Sequence, residues 1–546
     1  MHIKFLQNIF IKALEKLGIT NTLPEFEKPK IAGHGDFSTN IAMKLSKELK
    51  KQPRQIAGEI IENLVYDNKL VNSVEIAGPG FINIKLSEKY YTEILKQLAE
   101  MGQNIGRSDR GRGIKANIEY VSVNPTGLLH LGHGRNACIG DTVANLYEWQ
   151  GYDVTREYYF NNAGSQMAKL ALSIYSRYMQ LADPDYPFPE DGYHGDYVRT
   201  IAEELKAANG DALLEKTDEN LAVIRKFGEA WCFARIKQTL ERLGVRQDVY
   251  YNEDSLYSEG KIDKIINDFK NIGLAYEKDN ALWLEYSRLG LADDRVIVKS
   301  TGEPTYRLPD MAYHREKFER GFDICVDIFG SDHIATVPDV LAGIKALGYD
   351  TSKVVVLVHQ FVTLTEGGEQ VKMSKRSGKV YTLDDLIDET SPDVVRFFLL
   401  MRGISTHLEF DLELAREQGE KNPVFYLQYA HARICSIFRK AAEEGIDTEG
   451  NPDYELLTDK YEIDVIKQLS GFPETVNQAA ARHEPHLIAE YLRELAASYH
   501  IFYHNLSVLS AETPELKLAR LKLSSIVKDA LANGLRILGI STPEYM

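Results

Sequence analysis

Cysteine is nearly absent from this 546-residue chain: four occur, Cys138, Cys232, Cys325 and Cys435, all far apart. No Cys-x-x-Cys pair exists, so neither a zinc site nor a disulfide framework is expected, and all four read as small packed hydrophobes. Long apolar runs are missing too, with no stretch approaching the roughly 20 residues that cross a bilayer. The start, Met1-His2-Ile3-Lys4-Phe5-Leu6, lacks the apolar core and small-residue cleavage site of a signal peptide, so a cytoplasmic location is expected. Internal repeats and low-complexity segments are also lacking. Positive charge is in deficit, 64 Lys and Arg against 80 Asp and Glu, a net −16. That balance does not exclude a nucleic-acid partner. Screening limits each charge to about 10 Å, and basic residues can gather on one face.

What is present is the composition of a globular protein, 44% hydrophobic and 26% charged, in a chain long enough for roughly three domains. Residues 1–110 read as an α+β domain. An amphipathic helix (Phe5, Ile9, Phe10, Ala13, Leu14, Leu17) leads to the turn-rich Gly33–Asn40, and a second helix carries Ile41, Ala42 and Leu45. Alternation on either side of Gly78-Pro79-Gly80 predicts two strands and a tight turn. Residues 111–412 read as a Rossmann-type α/β domain. Ile114–Val121 is a buried strand, Asn124-Pro125-Thr126-Gly127 a turn, and the helix after His133 carries Ile139, Val143, Leu146 and Tyr147 at helical spacing. Val154–Phe160 is the next strand. This βαβ unit implies a parallel sheet with ligands at its strand C-terminal ends. A helix-rich, charged insertion is expected over about 167–290, after which strands return at 296–298, 324–329 and 354–358. Residues 413–546 read as an all-helical bundle, one long helix turning Phe425, Tyr426, Tyr429, Ile434, Ile437 and Phe438 to its apolar side. The fold class expected is therefore multidomain α/β, with an N-terminal α+β domain and a C-terminal helical bundle.

Two short motifs carry chemistry. His130-Leu131-Gly132-His133 lies between the first strand and its helix, where helix N-terminal amides favour anions. Gly132 lets a nucleotide approach the backbone, and both imidazoles can donate to phosphate oxygens. Roughly 240 residues on, Lys372-Met373-Ser374-Lys375 opens a run with four basic residues in eight that can wrap a triphosphate. After a further strand, Gly330-Ser331-Asp332-His333 places an acidic residue where a ribose hydroxyl can be read.

The two motifs, in this order, resemble the ATP-binding signatures of class I aminoacyl-tRNA synthetases. Longer runs narrow the resemblance to the arginyl-tRNA synthetases over nearly the whole chain. Gly35-Asp36-Phe37-Ser38-Thr39-Asn40-Ile41-Ala42 and Ala77-Gly78-Pro79-Gly80-Phe81-Ile82 resemble marks of that family's N-terminal additional domain. Glu119–Pro125 is similar to its first strand. Asn161-Asn162-Ala163-Gly164-Ser165-Gln166 is similar to its Asn-Asp-Ala-Gly-x-Gln segment, and Asn422–Arg433 resembles the start of its anticodon-binding domain.

The resemblance implies ATP-dependent ligation of L-arginine to its cognate tRNA through arginyl-adenylate, releasing AMP and pyrophosphate. The terminal adenosine 2′-hydroxyl would be the acceptor, and tRNA must be bound before arginine is activated. It implies catalytic roles for His130, His133, Lys372 and Lys375, with Lys375 the better candidate for pyrophosphate. ATP binding would involve His130, Gly132, His133, Gly330, Asp332, Lys372, Met373, Ser374 and Lys375. Arginine binding would involve Glu119, Ser122, Asn124, His133, Tyr306 and Asp310, with Tyr306 and Asp310 as the guanidinium-reading pair. Phe37, Asn40, Tyr426, Tyr429 and Arg433 are tRNA-binding candidates. A magnesium ion would arrive with ATP, zinc is not expected, and a monomer is. Physics agrees with arginine, because a planar cation with five donors wants carboxylates in fixed positions.

A glutamate enzyme would want basic residues in place of Glu119 and Asp310, and a cysteine enzyme would want zinc ligands. A small-molecule nucleotidyltransferase would not need the helical C-terminal region. A non-enzymatic tRNA-binding relative would not need intact histidines and Lys375. The chain departs from the family pattern at four places. Asn162 stands where Asp is common, Gly330 near where some members carry Gln, and Tyr545 where Arg is frequent. Pro309, just before Asp310, argues against helical geometry through Tyr306–Asp310.

Overall fold

The computed structural model describes residues 2–29, 33–162, 164–331, 335–371 and 381–546. Near the N-terminus, strand Phe81–Leu86 lies between Phe37–Thr39 and Val71–Ala77, antiparallel to both. The helices His2–Lys16 and Ile41–Leu49 bury the residues their spacing predicts, Phe10, Ala13 and Leu14 on one, Ile41, Ala42 and Leu45 on the other. Gly35 is required by space as well as by its φ of +86°, since a Cβ there would sit 2.5 Å from the Ile84 carbonyl oxygen.

Five parallel strands form the central sheet: β1 (Lys115–Glu119), β2 (Asp153–Phe160), β3 (Val249–Asn252), β4 (Ile324–Gly330) and β5 (Val354–His359). Their order is β5-β4-β1-β2-β3. The chain winds outward from β1 one way through β2 and β3, then returns to add β4 and β5 on the other side. The reversal falls between β1 and β4, and such a switch point opens a crevice at the strand C-terminal ends. Helix α1 (Leu131–Trp149) is buried along most of its length. It lies close enough to β1 that a Cβ on Gly140 would stand 2.2 Å from that of Tyr120.

The stretch 167–290 is helical where helix was expected, over Gly164–Gln180, Asp196–Asn209 and Asp218–Arg242, which share a small core of their own. It also holds what alternation did not reveal, β3, which completes the edge of the parallel sheet. The strand expected at 296–298 does not join that sheet. Arg295–Val298 pairs instead in a three-stranded antiparallel sheet with Ala275–Lys278 and Ala281–Leu284. Helix α2 (Arg307–Glu319) packs in the same core cluster. Pro309 does not break it: it falls in the first turn, where the missing N–H would have no intrahelical acceptor anyway.

The C-terminal helices include α3 (Pro423–Glu443), His486–Asn505 and Pro514–Ile537, and the region before them holds one strand, Leu408–Asp411, paired with Val362–Glu366. The apolar side expected for α3 is rotated. Val424, Leu427, Ala430, Ile434, Ile437 and Ala441 turn inward, while Tyr429 is exposed. The helical bundle shares a continuous core with α1 and the N-terminal strands. No helix among the described residues is long and apolar enough to cross a membrane.

Candidate active site

The crevice is built from β1 outward. Directly after β1 the backbone turns through two left-handed residues, Val121 at φ +69° and Ser122 at φ +46°. Such a turn costs roughly 1–3 kcal/mol per residue without glycine and persists only when its surroundings hold it. Here Asn136 on α1 accepts a hydrogen bond from the Val121 N–H at 2.6 Å and donates to the Ile328 carbonyl of β4 at 2.8 Å. The Ser122 hydroxyl thereby donates to Glu119 at 3.0 Å while accepting from the Tyr159 N–H at 3.1 Å. Asn124 accepts from the Asn161 N–H at 3.0 Å and faces Gln166 at 3.0 Å.

His130 caps α1. Its Nδ1 accepts from the Gly132 N–H at 3.1 Å, and the Nδ1 of His133 accepts from the His130 N–H at 3.3 Å. With both Nδ1 atoms occupied as acceptors, each neutral ring carries its proton on Nε2 and can donate there. The rings stack with centroids 3.5 Å apart. Burial, reinforced by His130 and His359, lowers the His133 pKa to about 3, and desolvation lowers that of His130 as well. A side chain on Gly132 would press on the His130 ring, 3.1 Å from its Cε1.

Beside His133 lies a cavity of about 350 Å³ lined by Asn124, Gly127, Tyr197, Thr382 and Asp385 among others. Lys372, Met373, Ser374 and Lys375, like Asp332, lie outside the described residues. The chain following that lysine run returns beside the histidines, where the Leu383 N–H donates to the Leu129 carbonyl at 2.8 Å. Gly330 ends β4, paired with His359 at the end of β5.

Across the crevice, α2 turns Asp310, Tyr313, His314 and Lys317 onto one face. No donor among the described residues reaches the Asp310 carboxylate. Burial, with Glu119 and Glu253 adding repulsion against His314 and Lys317, raises its pKa to about 7. Glu253 accepts from the Tyr159 hydroxyl and the Asn161 amide, each at 2.7 Å. Lys317 bridges Glu119 and Asp327, His314 meets Asp327 at 3.0 Å, and Arg320 grips Glu157 through two contacts of 2.6 Å. Tyr306 stands one turn before Asp310 and is 77% exposed; its carbonyl accepts from the Asp310 N–H at 3.4 Å, and its hydroxyl makes no hydrogen bond to Asp310 among the described residues. Glu119, Ser122 and Asn124 are thus brought together under an acidic cup that Asp310 and Glu253 complete. Asn161 belongs to a segment that the sequence singles out without a role for it, whereas nothing in the sequence points to Glu253, Tyr159 or Lys317, because their elements meet only in the folded sheet.

Elsewhere, Phe37 is half-buried with its ring centroid 5.3 Å from that of His2, and Asn40 precedes helix Ile41–Leu49 without a side-chain capping bond. On α3, Arg433 donates to the Tyr429 hydroxyl at 2.8 Å and lies over the rings of Tyr429 and Tyr503. Tyr426 packs on His500 at 4.8 Å. A groove of about 800 Å³ runs beside Tyr429, Arg433, Arg439 and Tyr503 to Tyr545.

Three family models cover most of the chain. "Arginyl tRNA synthetase N terminal domain" matches residues 4–86, "tRNA synthetases class I (R), catalytic domain" residues 94–397, and "DALR anticodon binding domain" residues 427–546. The chain is 49% identical over 522 residues to the arginine–tRNA ligase of Desulfotalea psychrophila, covering 95% of this chain and 94% of that one. It is 48% identical over 540 residues to that of Salinibacter ruber, 96% of each chain being covered. The solved arginyl-tRNA synthetase of Thermus thermophilus has the same fold, with a TM-score of 0.79 at 23% identity and all of both chains covered.

Proposed function

The chain belongs to the arginyl-tRNA synthetases and ligates arginine to its tRNA at the expense of ATP, and from that premise we propose which of its residues do the work. ATP lies over Gly132 with its phosphates toward the Nε2–H groups of His130 and His133, and with Gly330 and Asp332 on the ribose side. The arginine carboxylate attacks the α-phosphate in line, forming the mixed anhydride and expelling pyrophosphate. As charge grows on the phosphate oxygens, His130 and His133 donate hydrogen bonds as neutral groups. Lys372 and Lys375 supply positive charge, with Met373 and Ser374 part of the same ATP-binding motif. Magnesium would travel with the triphosphate. The terminal 2′-hydroxyl of tRNA then attacks the arginyl carbonyl, and AMP leaves.

The arginine main-chain groups fall to Ser122, Asn124 and His133, and the guanidinium to Glu119 and Asp310, with Tyr306 at the edge. The observation that supports this most is the acidic cup itself. Glu119 and Asp310 share it with Glu253, and the Asp310 carboxylate keeps its lone pairs unclaimed by any described donor. A guanidinium is the ligand that such a cup lacks. Pyrophosphate exchange with each amino acid, with and without tRNA, tests the reading; exchange with an amino acid other than arginine would refute it.

In the same reading, residues 413–546 take the anticodon, with Tyr426, Tyr429 and Arg433 offering stacking faces and charge beside the C-terminal groove. Residues 1–110, with Phe37 and Asn40 as candidates, touch a different, folded part of the tRNA. Asp36 of that motif has a structural task, since its carboxylate meets Lys467 at 2.9 Å and accepts from the Leu86 N–H at 2.8 Å.

A further inference from the structure

Lys317 is fully buried, and its ammonium lies 2.5 Å from Glu119 Oε2 and 2.5 Å from Asp327 Oδ1. A buried ion pair of this kind is weak evidence for stability, because apolar residues of similar volume serve a core as well or better. Its retention under the arginine cup calls for a role. Glu119 has two oxygens: Oε2 is held by Lys317 and Oε1 accepts from the Ser122 hydroxyl. The carboxylate is thereby oriented before any substrate arrives.

The groups facing Glu119 come from three elements besides its own. From α2 they are Lys317, His314, Asp310 and Tyr313; from β4, Asp327; from β2, Tyr159. Burial, with Asp327, raises the Glu119 pKa, and Lys317 is the foremost cation opposing that rise. Removing it would raise that pKa further and favour the neutral acid, which cannot form the charge-assisted bond that a guanidinium offers.

We infer that Lys317 is a positioning residue for arginine selection, holding the Glu119 carboxylate aligned for the substrate guanidinium through its bond to Oε2. The inference rests on the assignment of Glu119 to the arginine pocket. Lys317 itself is sealed from the substrate and acts through its neighbour.

Aminoacylation kinetics on the full chain between pH 6 and 9 test it. Lys317→Met is expected to lower kcat/KM for arginine about 30-fold at pH 7, to move the acid limb of that profile up by nearly two pH units, and to recover most of the loss at pH 9. The KM for ATP should stay within about two-fold of the parent, which also certifies a folded chain. A loss of the same size at every pH, or a parallel rise in the KM for ATP, would overturn the inference. Asp310 also feels Lys317, so the double variant Glu119→Gln/Lys317→Met separates the two. It should match Glu119→Gln within about two-fold, with no comparable shift of the limb. A further ten-fold loss in the double variant would show Lys317 acting otherwise, and this comparison stands even if Lys317→Met alone does not fold. Glu119→Gln by itself tests the underlying assignment. An unchanged kcat/KM for arginine there would remove Glu119 from the pocket, whatever Lys317 does.

Discussion

Replacing Asp310 by Asn keeps the shape of the side chain and removes its charge, and the structure sets both the size and the pH signature of the effect. The carboxylate has no described donor, so Asn leaves no protein partner stranded. What is lost is the charge-assisted pair with the guanidinium, about 2–4 kcal/mol in a partly buried pocket. That corresponds to a fall of roughly 30- to 1,000-fold in kcat/KM for arginine. The raised pKa of about 7 adds a second signature. A cationic substrate needs the ionised form, so arginine must displace the proton wherever the empty site holds one. At pH 7 half the molecules are protonated and the cost is only ~0.4 kcal/mol; one unit lower it is about 1.4 kcal/mol. The parental kcat/KM for arginine should therefore be flat above about pH 8 and fall toward ten-fold per unit below about 7, since this parameter reports the free enzyme. Asp310→Asn should be slower throughout and lose the part of that slope that belongs to Asp310. Initial rates of aminoacylation at subsaturating arginine, with ATP and tRNA saturating, read both. A variant with parental kcat/KM at pH 7.5, or with the full parental slope, would refute the assignment of Asp310 to the guanidinium.

Further outcomes follow from other parts of the molecule. His133→Ala and Lys375→Ala should each slow adenylate formation by roughly 10²–10³ in single-turnover assays without unfolding the chain; parental rates in both would sink the two-motif reading. With its pKa near 3, His133 is already neutral at pH 5, so titrating it should add no limb to the kcat profile between pH 5 and 8. Arg433→Ala should raise the KM for tRNA about ten-fold and leave the KM for arginine unchanged, and an unchanged tRNA KM would take Arg433 out of the anticodon surface. His2, wedged between the Tyr90 hydroxyl and the Ser470 carbonyl at 2.9 Å each, has its pKa lowered by burial to about 4. A depressed histidine favours the folded state fully above its unfolded value of about 6.5 and progressively less as pH falls toward 4. Proteolysis at the junction of residues 1–110 should accelerate across that window in the parent and less so in His2→Gln.

How much of this was legible in the chain depends on what kind of signal each part leaves. The first βαβ unit announced itself because a buried strand, a turn and a helix-spaced apolar set follow one another without interruption. Pro309 breaks a helix only where it falls beyond the first turn; here the helix begins at Arg307, and in a first turn the restriction on its predecessor is tolerated. The strand Val249–Asn252 was hidden because Val249-Tyr250-Tyr251-Asn252 is short and lacks alternation, its place being set by pairing with Tyr158, Tyr159 and Phe160. The same limit explains the acidic cup. Asp310 and Glu119 were found one at a time, through a family pattern, while Glu253, Tyr159 and Lys317 come from elements far apart in sequence that converge only at the switch point.

One sign of the cup was nonetheless present in the residues. Asp327 sits inside Ile324-Cys325-Val326-Asp327-Ile328-Phe329, and Glu119 follows Ala116-Asn117-Ile118, each a carboxylate within an apolar strand. Charges at such positions cost several kcal/mol unless paired, so two of them on adjacent parallel strands required a cation between. Helix α2 supplies it as Lys317, seven residues after Asp310 and so on the same face. Buried charge in a strand, read as a demand for a partner instead of as an exception to the hydrophobic pattern, leads from the sequence to the floor of the site.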